Sequence, residues 1–144
     1  MRIVFDTNIL VRAFASPNGS ASKTLEAALT GIHTFLLSSD ILREVTRVVR
    51  KPDMMLLHRK TEDDVYGFAT RLQRTAEMVL LNPLLTGPIR DHNDIIVLQT
   101  ALSGSADSIC TLDRDFSAPP ASDFLAHRGI AVLTDVQLLQ RLRQ

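Results

Sequence analysis

One cysteine, three lysines and no surplus of charge set the first limits on this chain of 144 residues. Cys110 has no partner within the chain, so no intramolecular disulfide staples the fold, which points to a reducing compartment, the cytoplasm. Its setting in the apolar run Ser108-Ile109-Cys110 marks it as a small buried hydrophobe and not a nucleophile. The lysines are Lys23, Lys51 and Lys60, and none follows position 60. Phosphatases and phosphotransfer domains that depend on a late lysine and an Asp-x-Asp nucleophile are thereby excluded, because the residue after Asp6-Thr7 is Asn8. A mononucleotide cradle is excluded too, since no Gly-rich loop follows an apolar run. No apolar stretch reaches the length of a membrane span, and the opening Arg2-Ile3-Val4-Phe5 has no signal-peptide layout. His33, His58, His92 and His127 do not fall at metal-ligand spacings. The formal net charge is +0, so there is no global basic field for a polyanion. Any nucleic acid must be held locally, by arginines or through a metal.

What is present is enough apolar sequence for one domain over 1–144: 45% of residues are hydrophobic, and no repeat, low-complexity tract or linker divides them. Short apolar runs predict strands at Ile3–Phe5, Thr34–Leu37, Met78–Leu81, Asp107–Leu112 and Ile130–Leu133. Between them lie helical segments: Ile9–Phe14 with Asn8 as its cap, Ala21–Leu29 before Gly31, and one that starts near Ser38-Ser39-Asp40 and runs to about Arg50 before Pro52. Further helices are expected from Thr61 through the stripe Val65, Phe68, Ala69, Leu72 and Ala76, from Asp94 to Gly104, near Phe124, and over Asp135–Arg143. The Val65–Ala76 stripe reads as core. Strands alternating with helices predict an α/β fold with a mainly parallel sheet of about five strands.

Four acids stand where these elements begin or end. Asp6 follows the first strand and Asp113 the fourth, while Asp94 opens a helix. Glu44 falls at the edge of the apolar stripe Ile41, Leu42, Val45, Val48 and Val49, so it sits at a core boundary. Parallel sheets build their sites beyond the carboxyl ends of the strands, which makes convergence of the four the expectation. Gathered together they would repel one another, and a hard cation with oxygen ligands would relieve that conflict. Taken singly, each has an ordinary alternative as a helix cap, a turn residue or a solvated glutamate.

In order along the chain, Asp6-Thr7-Asn8, Leu37-Ser38-Ser39-Asp40-Ile41-Leu42-Arg43-Glu44, Asp94 with its apolar helix, and Thr111-Leu112-Asp113-Arg114-Asp115-Phe116 resemble the PIN domain family of metal-dependent ribonucleases. The spacing is most similar to the bacterial toxin components of toxin–antitoxin pairs. The resemblance implies a PIN-like three-layer α/β/α sandwich and Mg²⁺- or Mn²⁺-dependent hydrolysis of single-stranded RNA. By position it makes Asp6, Glu44, Asp94 and Asp113 the catalytic acids, with Asp115 as an accessory metal ligand. Asn8, Thr111 and Asp91 become supports, Asp91 being either a partner of Asp94 or a turn cap. Arg12, Arg43, Arg47 and Arg114 flank the acids and are the expected RNA contacts. A homodimer and a cognate antitoxin are the implied partners. The competing reading is a catalytically silent scaffold of the same fold that binds RNA or protein.

Overall fold

The computed structural model describes residues 1–144. Five parallel strands, β1 (Arg2–Phe5), β2 (Thr34–Leu37), β3 (Glu77–Met78), β4 (Ser108–Cys110) and β5 (Ala131–Leu133), lie in the order β3-β2-β1-β4-β5. The expected α/β class and strand count therefore hold. β1 enters first yet lies in the middle, and the chain reverses its direction of travel across the sheet between β3 and β4. β1 and β4 consequently flank the switch point, where the connections leave on opposite faces and a crevice opens.

The helices are α1 (Thr7–Ala15), α2 (Ser20–Ala28), α3 (Ser39–Val49), α4 (Pro52–His58), α5 (Glu62–Thr75), α6 (His92–Ser103), α7 (Arg114–Ser117), α8 (Ala121–Ala126) and α9 (Asp135–Leu142). Right-handed crossovers, which parallel sheets almost always use, place the connections before β3 on one face and α6 to α8 on the other. The result is the three-layer sandwich. Its core holds the whole of Ile3–Phe5, Phe35–Leu37 and Ser108–Cys110, with Phe5 and Phe35 meeting edge to face at 5.6 Å. Each large apolar side chain so buried contributes roughly 1.5–3 kcal/mol relative to exposure.

Several boundaries differ from the periodicity reading, for local reasons. The third strand is only Glu77–Met78, although the Val79 amide still donates to the Leu37 carbonyl. The segment after Pro52, to which the periodicity reading assigns no element, forms α4, with proline in the first turn where its missing N–H costs nothing. In α1 the cap position belongs to Asp6, not Asn8, which lies exposed in the first turn. In α5 the stripe is core as expected: Val65 and Leu72 are buried and Phe68, Ala69 and Ala76 pack against them.

Two contacts fix α6, the helix that carries Asp94. At its C terminus the Gly104 carbonyl accepts from Arg2 Nε and Nη2 at 3.1 and 2.8 Å, placing a cation at the negative end of the helix dipole. Midway, the buried Thr100 and Ser38 hydroxyls lie 2.9 Å apart, tying α6 to the end of β2. The N terminus of α6 is thereby delivered to the edge where β1 and β4 end.

Candidate metal centre

Asp6 is held by its backbone before its side chain is considered. Its amide donates to the Cys110 carbonyl at 2.9 Å, extending the β1–β4 pairing, and its carbonyl accepts the first bonds of α1. The carboxylate caps nothing, so it is left to face the crevice. There the Thr111 hydroxyl donates to Asp6 Oδ2 at 2.7 Å, and the Asp113 amide donates to that same hydroxyl oxygen at 2.9 Å. Thr111 thus orients one acid while pinning the loop that bears the next. Asp113 caps α7 by accepting from the Asp115 amide at 2.9 Å.

Asp94 comes from α6. The sequence left Asp91 as either its partner or a cap, and the structure gives the cap: Asp91 Oδ1 accepts from the Asn93 and Asp94 amides at 2.9 and 3.1 Å. The helix therefore begins at His92, not at Asp94. With Asp91 taking the cap, the Asp94 side chain is free and buried at 7% exposure, turned toward Asp6 and Asp113.

One ligand oxygen from each of Asp6, Asp94 and Asp113 lies within 4.8 Å of the other two. No cation side chain joins them. Burial pushes the Asp94 carboxyl up to about 7, with the charges of Asp113 and Asp6 adding to the effect. Asp6 is also raised, chiefly by burial, although the Thr111 hydrogen bond and nearby backbone amides pull the other way. Two buried carboxylates, Asp6 and Asp94, pressed by the charge of the half-buried Asp113 are the arrangement a divalent cation would relieve. The donor set is all oxygen, which suits a hard ion such as Mg²⁺ or Mn²⁺ and not a thiolate- or imidazole-seeking one.

These acids line a pocket of about 260 Å³ that also meets Asn8, Glu44, Asp91, Asn93 and Asp115. Glu44 is brought to this pocket but not into the group of three. Arg47 grips it through two bonds, Nε to Oε2 at 2.9 Å and Nη2 to Oε1 at 2.6 Å, and Asn93 Nδ2 donates to Oε1 at 3.5 Å. The Arg47 hydrogen bond is the main reason its carboxyl lies below the ordinary glutamate range. Asn93 had no place in the sequence reading; its only signal was its position beside Asp94 in the first turn of α6.

The expected RNA contacts separate. Arg43 and Arg47 line a neighbouring pocket together with Glu44, His92 and Asn93. Arg114 lies on the other side, in a cavity it shares with Arg90 and Asp115. Arg12 lines neither and instead stands 3.8 Å from the buried Asp135 carboxylate. Cys110 is buried as expected, and burial raises its thiol.

Comparison with known proteins agrees with this geometry. No curated protein sequence matches the chain. A solved structure, VapBC2 from Rickettsia felis bound to a DNA fragment from their promoter, shares the fold at 18% identity. Its TM-score is 0.62, and the match covers 93% of this chain and 98% of that one. The family model of the PIN domain matches residues 2–115, from the start of β1 through the Asp113–Asp115 motif. The chain therefore belongs to the PIN domain family.

Proposed function

We propose that the protein is a Mg²⁺- or Mn²⁺-dependent endoribonuclease acting on single-stranded RNA, and the toxin of a toxin–antitoxin pair. The observation that carries the reading is the convergence of the buried Asp6 and Asp94 with the half-buried Asp113 at the switch point of a parallel sheet.

When bound, the cation supplies charge neutralisation at the scissile phosphate and a water acidic enough to attack it. The chain supplies the rest. Thr111 keeps the Asp6 oxygen aimed and, through the Asp113 amide, sets the distance between the two acids. Asp94 must give up its proton to join them, so loading favours neutral over acidic solution. Asp115 and Asn8 line the rim, and Asp91 keeps the start of α6 in register. Arg43 takes a phosphate on one side, and Arg114 meets the RNA on the other. Arg47 serves as a third phosphate contact, and when it turns to substrate it frees Glu44 to act in the pocket. No serine, cysteine or histidine nucleophile takes part.

The partners follow by analogy with the VapBC2 complex. Leu56, Leu57 and Tyr66, on α4 and α5, are 70–80% exposed and offer an apolar face suited to a protein antitoxin or to a second copy of the chain. No helix is long and apolar enough to cross a membrane, and we place the protein in the cytoplasm with its RNA.

The test is cleavage of a single-stranded RNA by purified protein with Mn²⁺, abolished by EDTA and lowered about a hundredfold or more by Asp6→Ala or Asp94→Ala. Alongside, Mn²⁺ should raise the Tm of the wild type and not of the variants. Undiminished cleavage by both variants would sink the assignment. A Mn²⁺ shift without any cleavage would favour the silent scaffold instead.

A further inference from the structure

Next to the acid pocket lies a larger cavity, of about 730 Å³, that the family assignment does not account for. Two proline-bearing loops form its walls, Gly87-Pro88-Ile89 and Ala118-Pro119-Pro120. Arg90 and Arg114 reach into it, and neither guanidinium is within ion-pairing distance of any carboxylate. Asp91 and Asp115 belong both to this cavity and to the acid pocket, so the two adjoin. On the far side, Glu44 and Asn93 likewise join the acid pocket to the one holding Arg43 and Arg47. The three hollows form one run, with the acids in the middle and arginines at both ends.

We propose that the Arg90–Arg114 cavity is a base subsite, which receives one unpaired nucleobase of a single-stranded RNA beside the phosphate held at the acids. The inference rests on the nuclease reading and adds to it the part of the substrate that sets sequence preference. The chemistry matches. A nucleobase is flat, apolar on its faces and polar at its edge. The rings of Pro88 and Pro119 and the aliphatic side chain of Ile89 supply apolar contact, and guanidinium planes are standard stacking partners for unstacked RNA bases. Their free N–H groups would also read acceptor edges, since each guanidinium presents five donors and has no carboxylate to satisfy. The volume lies in the range of small-ligand pockets, well above what a phosphate alone would fill. A duplex cannot deliver a base into a side cavity without unpairing it, so the site also accounts for a single-stranded substrate.

The experiment measures binding, in the cleavage-deficient Asp94→Asn protein, of a short single-stranded RNA whose bases are removed one position at a time. One position should stand out, its abasic form binding on the order of tenfold more weakly. Ala118→Trp, which fills the cavity from an exposed position, and Arg90→Ala, which removes a stacking plane, should each weaken the intact RNA to a similar degree. Both should also erase the penalty at that position while leaving the other positions as before. A flat abasic scan, or variants that bind and scan like their parent, would overturn the base subsite and leave the cavity to a protein partner. Failure of the parent to bind any RNA would instead bring down the nuclease reading on which it rests. The wild type gives a second measure. Its cleavage-site preference in a random RNA pool should be altered by Ala118→Trp, and an unchanged preference also counts against the proposal.

Discussion

Asp94 and Asp135 are both buried acids in the first turn of a helix near the carboxyl edge of the sheet, exposed by only 7% and 3%. Their surroundings are opposite. Asp135 accepts a hydrogen bond from the Ser20 hydroxyl, has the Arg12 guanidinium 3.8 Å away, and lies where Thr24 Oγ1 approaches its carbonyl at 2.9 Å. It joins α9 to α2 and α1. Asp94 faces Asp6 and Asp113, with no donor side chain answering its charge. Burial of an acid is thus not by itself a sign of chemistry. An acid with partners closes a packing interface, whereas an acid among acids is a candidate site for a cation.

The contrast can be broken most directly in metal-free protein. The folded carboxyl of Asp94 titrates near 7 against an ordinary 3.8, so between those values the folded state holds a proton the unfolded state has lost. Its stabilising contribution is complete below about pH 4 and is lost as pH rises through about 7. In EDTA, Tm should therefore fall from pH 5 to pH 8. Asp94→Asn should flatten that fall and stabilise the protein at pH 8 by up to about 4 kcal/mol. A variant less stable than wild type at pH 8 would mean the trio is not electrostatically strained.

Asp135→Ala should have the opposite sign. Leaving the Ser20 hydroxyl unanswered in a buried site costs about 2 kcal/mol, or roughly 6–8 °C in a domain of this size. The stabilisation by Mn²⁺ should survive intact, and its loss would place Asp135 in the metal site. The mildest change sharpens the comparison inside the trio itself. Thr111→Val keeps the shape and removes the donor to Asp6, so Mn²⁺ affinity measured by calorimetry should weaken about tenfold. An unchanged affinity would show that Asp6 needs no orienting partner.

The residues that could be read in advance are those governed by local pattern. The apolar runs of β1, β2 and β4 bury as expected because a strand closed on both faces must be apolar throughout. Glu44 falls half-buried at the edge of its stripe because helical periodicity fixes its angle. Asp6, Asp94 and Asp113 were identified by their places at element ends, and those three meet. Local pattern fails where a residue has two potential partners. Arg12, chosen for phosphate by its nearness to Asp6-Thr7-Asn8, is turned instead to Asp135, 123 positions further along. Arg47, expected to contact RNA, pairs with Glu44 one turn away on the same helix, a partner that nearness to the acids did not single out. Arg90 gave no signal at all, since its cavity is made by loops that meet only in space.

By itself the sequence determined the α/β class, the supply of acids at strand ends and an inventory suited to a hard cation. Hydrophobic periodicity and ligand chemistry are properties of short segments. The tertiary structure decided which acids share a site. The Thr111 hydroxyl meets Asp6 from 105 residues away, and that meeting depends on β4 pairing with β1 across the switch point. Strand order is a property of the whole sheet, and no run of neighbouring residues encodes it.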